Sequence, residues 1–501
     1  MASLLPSVRL NPASERSTVD YASREAKIEN PKSHLTLRRK ASSFGNGTMS
    51  NSEPRLKLRK RVREKREEAL EDMEDLFSEG ETQKIRVSLL DWYDKNQRDL
   101  PWRRRRSENG EEEEEEGEKE RRAYEVWVSE VMLQQTRVQT VMEYYKRWTH
   151  KWPTIDDLAQ ASLEEVNDMW AGLGYYRRAR FLLEGAKMIV AGKEGFPNQA
   201  SALRKVKGIG EYTAGAIASI AFGEVVPVVD GNVIRVLSRL KAISANPKDR
   251  NTVKNFWKLA AQLVDPSRPG DFNQSLMELG ATLCTPLNPG CSSCPVSVQC
   301  RAYSLFQQNG RIPVTDYPTK VVKAKQKHDF CCVSAVEILN QERNRSGSRF
   351  LLVKRPNEGL LAGLWEFPSV ILNEEADLTS RRKEIDRYLR KTFQLELKKT
   401  HTVVSRKDLG EFVHIFTHIR RKVYVELLVL CLEGETNVLL EEQSKDTQTW
   451  KFADSDVLST MGLTSAVRKV YLMVEEYKKG LSLDSTRSSK TITSRSRERN
   501  L

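Results

Sequence analysis

The chain has 501 residues and carries 82 Lys and Arg against 69 Asp and Glu, a formal net charge of +13. This length predicts two or more domains with a sizeable buried core. The basic surplus favours an anionic partner, nucleic acid first and a membrane surface second, although part of it lies in the terminal segments. No apolar run approaches the roughly 20 residues of a membrane span, so we expect no membrane-spanning segment.

The N-terminal region predicts disorder. Residues 1–80 are rich in Ser, Arg, Lys, Glu and Asn and lack apolar periodicity. The basic run 55–61 favours a nuclear location or contact with phosphates, although such runs are common in disordered tails. Residues 1–10 hold one arginine and no acid, so a mitochondrial presequence stays open. Six consecutive glutamates at 111–116 predict a solvated loop over residues 107–120.

A helical apolar pattern covers residues 123–148 and breaks once. The spacing of Thr136 and Gln139 is that of a capping box, so a second helix should start there. Gln134 and Gln135 then lie at an exposed helix junction, where amides can bond to base edges, although ordinary surface glutamines are the alternative. Glu130 stands among apolar residues, which predicts a raised pKa if it is buried. A helix-surface glutamate is the competing interpretation.

Residues 201–232 predict two helices joined by a tight turn, followed by a third helix. The turn Lys207-Gly208-Ile209-Gly210 allows positive φ and turns helix N–H groups outward, which suits a phosphate oxygen. A plain helix corner is the alternative. Asp230 then reads as a helix N-cap. Hydrogen bonds and the helix dipole should lower its pKa and keep it ionised.

Three further stretches complete the pattern. Tyr175 follows a glycine turn and precedes arginines, which fits wedging into a base stack or packing in the core. Residues 301–327 read as a polar linker, and β-rich runs from residue 330 predict an α+β domain of ordinary size. The Ser, Thr and Arg-rich tail from residue 479 predicts disorder. Four cysteines have the spacing C-x6-C-x2-C-x5-C, namely Cys284, Cys291, Cys294 and Cys300.

That cysteine spacing leaves two kinds of metal site open. Four thiolates hold either a structural zinc or a [4Fe–4S] cluster. Zinc sites usually have two C-x2-C pairs and this chain has one, which favours iron–sulfur. A secreted disulfide framework does not fit cysteines crowded in this way.

These motifs together resemble the adenine DNA glycosylase family of the MutY type. The carrying segments are YEVWVSEVMLQQT (124–136), GLGYYRRAR (172–180), VDGN (229–232), the cysteine loop, LLAGLWEFP (360–368) and FTH (416–418). The resemblance implies an all-α helix-hairpin-helix glycosylase domain with a [4Fe–4S] cluster loop, plus an α+β Nudix-like domain. The domains are then a disordered region 1–80, the glycosylase domain 81–300, a connector 301–327, a Nudix-like domain 328–478 and a tail 479–501.

The family reaction that the resemblance implies is hydrolysis of the N-glycosidic bond of adenine mispaired with 8-oxoguanine or guanine in duplex DNA. Glu130 then donates a proton to the base and ionised Asp230 stabilises the sugar, supported by Tyr212 and Asn232. Bifunctional relatives carry a lysine eighteen residues before the Asp, where this chain has Tyr212, so we expect an abasic product with strand cleavage weak or absent. The DNA-contacting set is Gln134, Gln135, Tyr175, Lys207, Gly208, Gly210, Phe416, Thr417 and His418.

Two departures from the family and two rival functions stay open. Thr417 replaces the family's serine, and residues 285–290 hold no Lys or Arg. A nucleotide-hydrolysing Nudix enzyme needs a glutamate array for Mg²⁺ that is not found after Gly363. A DNA-binding scaffold would not need Glu130 and Asp230. We expect a monomer in the nucleus, with a mitochondrial location open, and repair or replication proteins as partners of the tails and connector.

Overall fold

The computed structural model describes residues 76–104, 115–321, 325–339, 348–356, 358–393, 395, 401–432 and 449–495. The chain divides into two compact units. The first takes residues 1–137 and 194–321, and the second takes residues 138–193 and 322–501. The prediction of disorder for residues 1–75 and the glutamate run up to residue 114 lie outside the described residues.

No strand is present among the described residues from 79 to 309, and their regular structure consists of helices. In chain order they are α1 (Glu79–Asn96), α2 (Glu116–Leu133), α3 (Val138–Lys151), α4 (Ile155–Gln160), α5 (Leu163–Trp170), α6 (Arg177–Gly192), α7 (Ala200–Leu203), α8 (Glu211–Phe222), α9 (Gly231–Leu240), α10 (Arg250–Leu263), α11 (Pro269–Thr282) and α12 (Arg301–Asn309). Helices α3 to α6 belong to the second unit and the other eight to the first.

Local capping sets several helix starts. Ser78 caps α1 in a reciprocal capping box with Glu81, so helical order begins at Glu79, inside the region 1–80 predicted to be disordered. A reciprocal capping box of Ser162 and Glu165 starts α5. The predicted break before α3 is present, but the helix begins at Val138. Helix α2 begins at Glu116, within the stretch predicted to be a solvated loop.

The first unit packs around α1, α9, α10 and α11. Its core includes the fully buried Ile85, Leu237, Phe256 and Phe272. Residues predicted to form a polar connector also take part, since α12 contributes buried Ala302 and a 3₁₀ turn at Val314–Asp316 follows. A short apolar stretch within a polar segment is enough to dock it, because burial stabilises by roughly 25 cal/mol per Å².

The second unit contains a seven-stranded mixed sheet. Its strands are β1 (Lys327–Leu339), β2 (Ser348–Lys354), β3 (Trp365–Glu366), β4 (Ser369–Leu372), β5 (His401–Ile415), β6 (Ile419–Leu432) and β7 (Trp450–Asp454). The order is β3-β2-β1-β6-β5, with β4 on β1 and β7 on β2. Strands β1 and β6 pair in parallel, and the other pairs are antiparallel.

The sheet separates two apolar clusters. One packs buried residues of α14 (Ser455–Thr460) and α15 (Ser465–Arg495) against the sheet, and the other packs α13 (Leu378–Phe393) against it. Strand β5 ends at Ile415, and residues 416–418 form the turn into β6. Helix α15 continues to Arg495 through the predicted disordered tail, a stretch without proline. Within the described residues, no helix is long and apolar enough for a membrane span.

Candidate active site

Glu130 lies on the buried face of α2 and is only 7% exposed. Its Oε2 accepts a hydrogen bond from the Tyr212 hydroxyl. Burial raises the pKa of Glu130 to about 7; the Tyr212 hydrogen bond and the charge of Arg103 oppose this rise, and the charge of Asp230 adds to it. Glu130 is therefore a carboxyl group that holds a proton near neutral pH, as the apolar sequence around it predicted.

Asp230 caps the N-terminus of α9, as predicted. Its Oδ1 accepts from the Val233 backbone N–H at 2.7 Å, and its Oδ2 accepts from Asn232 Nδ2 at 2.7 Å. The predicted direction of its pKa shift is wrong. Burial raises the pKa of Asp230 more than the hydrogen bonds from Val233 and Asn232 lower it, because capping geometry is local whereas burial is set by the packed helices.

The two carboxyl groups nevertheless differ in the hydrogen bonds they accept. Asp230 accepts two hydrogen bonds that favour its charged form, and the charge of Arg235 acts in the same direction. Glu130 accepts a hydrogen bond from Tyr212, and the charge of Asp230 raises its pKa. Because the charge of Asp230 raises the pKa of Glu130, the two buried groups disfavour carrying a negative charge at the same time.

Tyr212 is the second residue of α8 and carries the hydroxyl that reaches Glu130 from another helix. Its oxygen also lies 3.4 Å from the sulfur of Met277 on α11. Burial and the neighbouring charges of Glu130 and Asp230 raise the pKa of Tyr212 well above its ordinary value. The phenol is therefore a permanent hydrogen-bond donor at physiological pH.

Asn232 links the Asp230 carboxylate to the next layer of side chains. Its Oδ1 accepts from Arg235 Nη2 at 2.8 Å, and the same guanidinium donates to the carbonyl oxygens of Gly280 at 2.7 Å and Cys284 at 2.8 Å. Gly280 permits this approach, because a Cβ there would lie 2.6 Å from the Asn232 Cβ. Asn232 is thus held between the capping carboxylate and a buried guanidinium.

Sequence reasoning missed the ion cluster near Glu130. Glu278, fully buried on α11, pairs with Arg98 at 2.6 Å and Arg103 at 2.8 Å. Burial raises the pKa of Glu278, but these two ion pairs outweigh burial and bring it to about 2. Glu278 stands 175 positions after Arg103 in the chain, and the sequence around it does not indicate which arginine it will pair with.

The turn between α7 and α8 presents the predicted backbone-binding residues at the surface. Lys207, Gly208 and Gly210 are exposed, while Ile209 is buried and anchors the turn. Gly208 has φ +87, so it needs the left-handed conformation, whereas Gly210 is an extended N-cap of α8. The first N–H groups of α8 follow directly, which is the arrangement that suits an anion.

The four cysteines surround a short turn that begins after α11. Burial and the charges of the neighbouring cysteines raise the pKa of Cys294 to about 12 and of Cys300 to about 11. Arg239, 2% exposed, donates to the sulfur of Cys284 at 3.2 Å. Among the described residues, no three His, Cys, Asp or Glu side chains stand in position around one metal ion.

The predicted lesion-reading residues fall in both units. Gln134 and Gln135 lie between α2 and α3, as predicted, and Gln135 has φ +58. In the second unit, Tyr175 is 46% exposed with φ +48, and its hydroxyl lies 2.6 Å from that of Thr417. Thr417 sits in the turn between β5 and β6, where the Phe416 N–H donates to the Ile419 carbonyl at 2.8 Å.

The turn at residues 416–418 exposes some side chains and packs others against neighbouring residues. Thr417 and His418 are exposed, and Phe416 is half-buried. The Phe416 ring contacts His414, with ring centres 4.5 Å apart, and the Arg421 guanidinium lies 5.4 Å from its centre. The turn is thus a tight hairpin end held on one side by aromatic packing.

Comparisons with known proteins agree with the predicted order of domains. Residues 128–262 match the HhH-GPD superfamily of base excision DNA repair proteins, and residues 342–473 match the NUDIX domain family. An adenine DNA glycosylase of Arabidopsis thaliana is 63% identical over 97% of this chain and 86% of its own length. One of Homo sapiens is 42% identical over 82% of this chain and 77% of its own.

The chain is also similar to a solved structure of a non-covalent endonuclease III–DNA complex. The two are 23% identical with a TM-score of 0.36, and the match covers 46% of this chain and 99% of the other. The predicted fold class, an all-α helix-hairpin-helix glycosylase domain followed by an α+β Nudix-like domain, is confirmed by the two family matches.

Proposed function

The chain belongs to the adenine DNA glycosylase family of base excision repair enzymes, and we propose that it removes adenine paired with 8-oxoguanine or guanine and leaves an abasic site. The observation that carries this proposal is the buried group in which the Tyr212 hydroxyl binds Glu130 and the charge of Asp230 raises the pKa of Glu130. A protonated and a charged carboxyl group side by side are what N-glycosidic bond cleavage requires.

The chemistry follows from the two protonation states. A base inside a duplex is out of reach, so the adenosine must first leave the stack. Glu130 donates its proton to N7 of the extruded adenine, which turns the base into a better leaving group. The sugar becomes positively charged as the bond breaks, and the Asp230 carboxylate, oriented by Val233 and Asn232, stabilises that charge before water completes the hydrolysis.

The product should be an unbroken strand with an abasic site. Strand cleavage by bifunctional relatives needs an amine that attacks the sugar and forms a Schiff base. Position 212 holds a tyrosine whose phenol stays protonated and binds Glu130. A phenol cannot form a Schiff base, so the reaction ends at base release.

Recognition of the opposing base is assigned to Tyr175 and to the turn Phe416, Thr417 and His418. Exposure of the Thr417 and His418 side chains on a braced turn supports this role, because a base reader needs both access and fixed geometry. Gln134 and Gln135 fill the disturbed stack, and the turn at Lys207, Gly208 and Gly210 holds the DNA backbone.

The Nudix-like domain acts as a binding module in this proposal. The Glu366 carboxylate accepts hydrogen bonds from Arg355 at 2.7 Å and from Ser369 at 3.3 Å. Glu375 forms an ion pair with Lys422 at 2.6 Å. Carboxylates neutralised by basic side chains are poor Mg²⁺ ligands. Nucleotide hydrolysis is therefore the weaker assignment for this domain.

A [4Fe–4S] cluster fits the four cysteines Cys284, Cys291, Cys294 and Cys300. A cluster binds each thiolate through a different iron, so its ligands need not converge on one point as they would around a single ion. The Arg239 guanidinium at the Cys284 sulfur suits a ligand set that carries negative charge. The cluster would bind the thiolates and fix the loop, and we expect Cys291→Ser to lower iron and acid-labile sulfide content.

Base release from duplexes tests the proposed reaction. Duplexes with A:8-oxoguanine, A:G, A:T and C:G pairs are incubated with the wild type, Glu130→Gln and the matched control Glu125→Gln on the same helix. We expect adenine release from the first two duplexes only, loss of release with retained DNA binding for Glu130→Gln, and little change for Glu125→Gln. Release by Glu130→Gln within a few fold of the wild type would disprove the acid assignment.

A further inference from the structure

Met277 contacts the Tyr212 hydroxyl and has no part in the reaction above. Its sulfur lies 3.4 Å from the Tyr212 oxygen. The residue is partly exposed, although its neighbours Leu276 and Glu278 on α11 are almost fully buried. A polarisable thioether thus stands at the edge of the active site, in contact with the side chain that holds Glu130.

Oxidation changes what such a contact does. A thioether sulfur is a weak acceptor, so the Tyr212 hydroxyl gives most of its hydrogen bond to the Glu130 carboxyl group. A sulfoxide oxygen is polar and a strong acceptor, and oxidation converts an apolar side chain into a polar one. At the position of Met277 that oxygen would compete with Glu130 for a single phenol proton.

We propose that Met277 is an oxidation site at which a peroxide withdraws the Tyr212 hydroxyl from Glu130 and reversibly lowers base release. In the step, the peroxide O–O bond breaks, one oxygen forms the S=O bond of methionine sulfoxide, and the other leaves as water. The sulfur loses the two electrons that the peroxide gains. A methionine sulfoxide reductase reverses the step with a dithiol, which becomes a disulfide as water is released.

The inference rests on the proposed role of Glu130 as proton donor. Tyr212, Asp230 and Arg103 are the groups whose hydrogen bond or charge acts on Glu130. Loss of the Tyr212 bond leaves burial and the Asp230 charge opposed only by Arg103, so the pKa of Glu130 rises. The donor also loses its orientation, which lowers the rate even where Glu130 is fully protonated.

Peroxide treatment of the full-length protein tests the inference. The wild type, Met277→Leu and a control, Met188→Leu, at a residue 49% exposed in the second unit, are treated with hydrogen peroxide and then catalase. Single-turnover adenine release is measured at about pH 6, relative to each untreated variant. We expect a loss of about tenfold or more for the wild type and Met188→Leu, little loss for Met277→Leu, and recovery after reductase treatment.

Four readouts separate this explanation from simpler damage. Peptide mass spectrometry should locate one added oxygen at residue 277, and iron content should stay constant in the treated wild type. The alkaline limb of its pH–rate profile should shift upward. Tyr212→Phe has no hydroxyl to lose, so peroxide should change its remaining rate little.

The inference is overturned if Met277 stays unoxidised under conditions that oxidise Met188, or if Met277→Leu loses as much activity as the wild type. An equal loss in Tyr212→Phe would also overturn it, since bulk rather than the hydrogen bond would then explain the effect. Failure of the proposed function looks different, because Glu130→Gln would keep its activity whatever the state of Met277.

Discussion

The Tyr212 hydroxyl sets the acidity of Glu130, and Tyr212→Phe isolates that effect. The substitution removes one oxygen and leaves the ring in place. In the wild type, the hydrogen bond from Tyr212 lowers the pKa of Glu130 against the effect of burial, which brings it to about 7. Without the hydroxyl, we expect the pKa of Glu130 to rise, so the carboxyl group stays protonated to higher pH.

The size of the shift follows from the strength of the lost bond. A hydrogen bond to a charged group contributes about 1.5–3 kcal/mol, and one pKa unit corresponds to about 1.36 kcal/mol. The alkaline limb should therefore move up by about one to two units. At pH 8 the protonated fraction of Glu130 then rises from about 0.1 to between about 0.5 and 0.9. The plateau rate should still fall, by about tenfold, because the proton donor is less well oriented.

The assay is adenine release with enzyme in excess and below half-saturation, measured from about pH 5.5 to 9.5, so that the profile reports the free enzyme. Tyr471→Phe is the matched control, since its hydroxyl bonds to the Ser455 carbonyl in the second unit. The alkaline limb of the Tyr471→Phe pH–rate profile should coincide with that of the wild type. A limb for Tyr212→Phe at or below the wild-type position would refute the reasoning, because the hydroxyl would then not stabilise the charged form of Glu130.

Three further predictions follow from the same site. Because the folded pKa of Glu130 is about 7 against an ordinary 4.5, the folded state binds more protons in that window and stability falls as pH rises through it. Glu130→Gln should therefore be up to about 3 kcal/mol more stable than the wild type at pH 8 and lose this advantage near pH 4.5; thermal unfolding that shows the same difference at both pH values would contradict this. Tyr212→Lys should give a borohydride-trapped DNA adduct on a denaturing gel, and no adduct would count against the position assigned to this side chain. Gly280→Ala should slow adenine release by about tenfold or more, because the added Cβ would lie 2.6 Å from the Asn232 Cβ. The control Gly192→Ala should keep the wild-type rate, because a Cβ added at Gly192 meets open space.

Part of the site could be predicted from the sequence, because it depends on residues close together in the chain. The α5 capping box and the Asp230 cap depend on residues three apart in the chain, so their spacing predicts them directly. The apolar residues around Glu130 on α2 likewise indicated that it is buried and that its pKa is raised. The cysteine spacing and the helical and β-rich regions follow from equally short-range patterns.

Only tertiary structure decided what those residues do together. Tyr212 reaches Glu130 across 82 positions of the chain and Met277 across 65, and no pattern in one helix shows which residue of another will face it. The Asp230 pKa shows the limit most clearly. The sequence contains its hydrogen-bond donors, which lower the pKa, but its burial, which raises the pKa further, arises only when the helices pack. Spacing along a chain fixes local bonds, whereas desolvation depends on everything that surrounds a group in space.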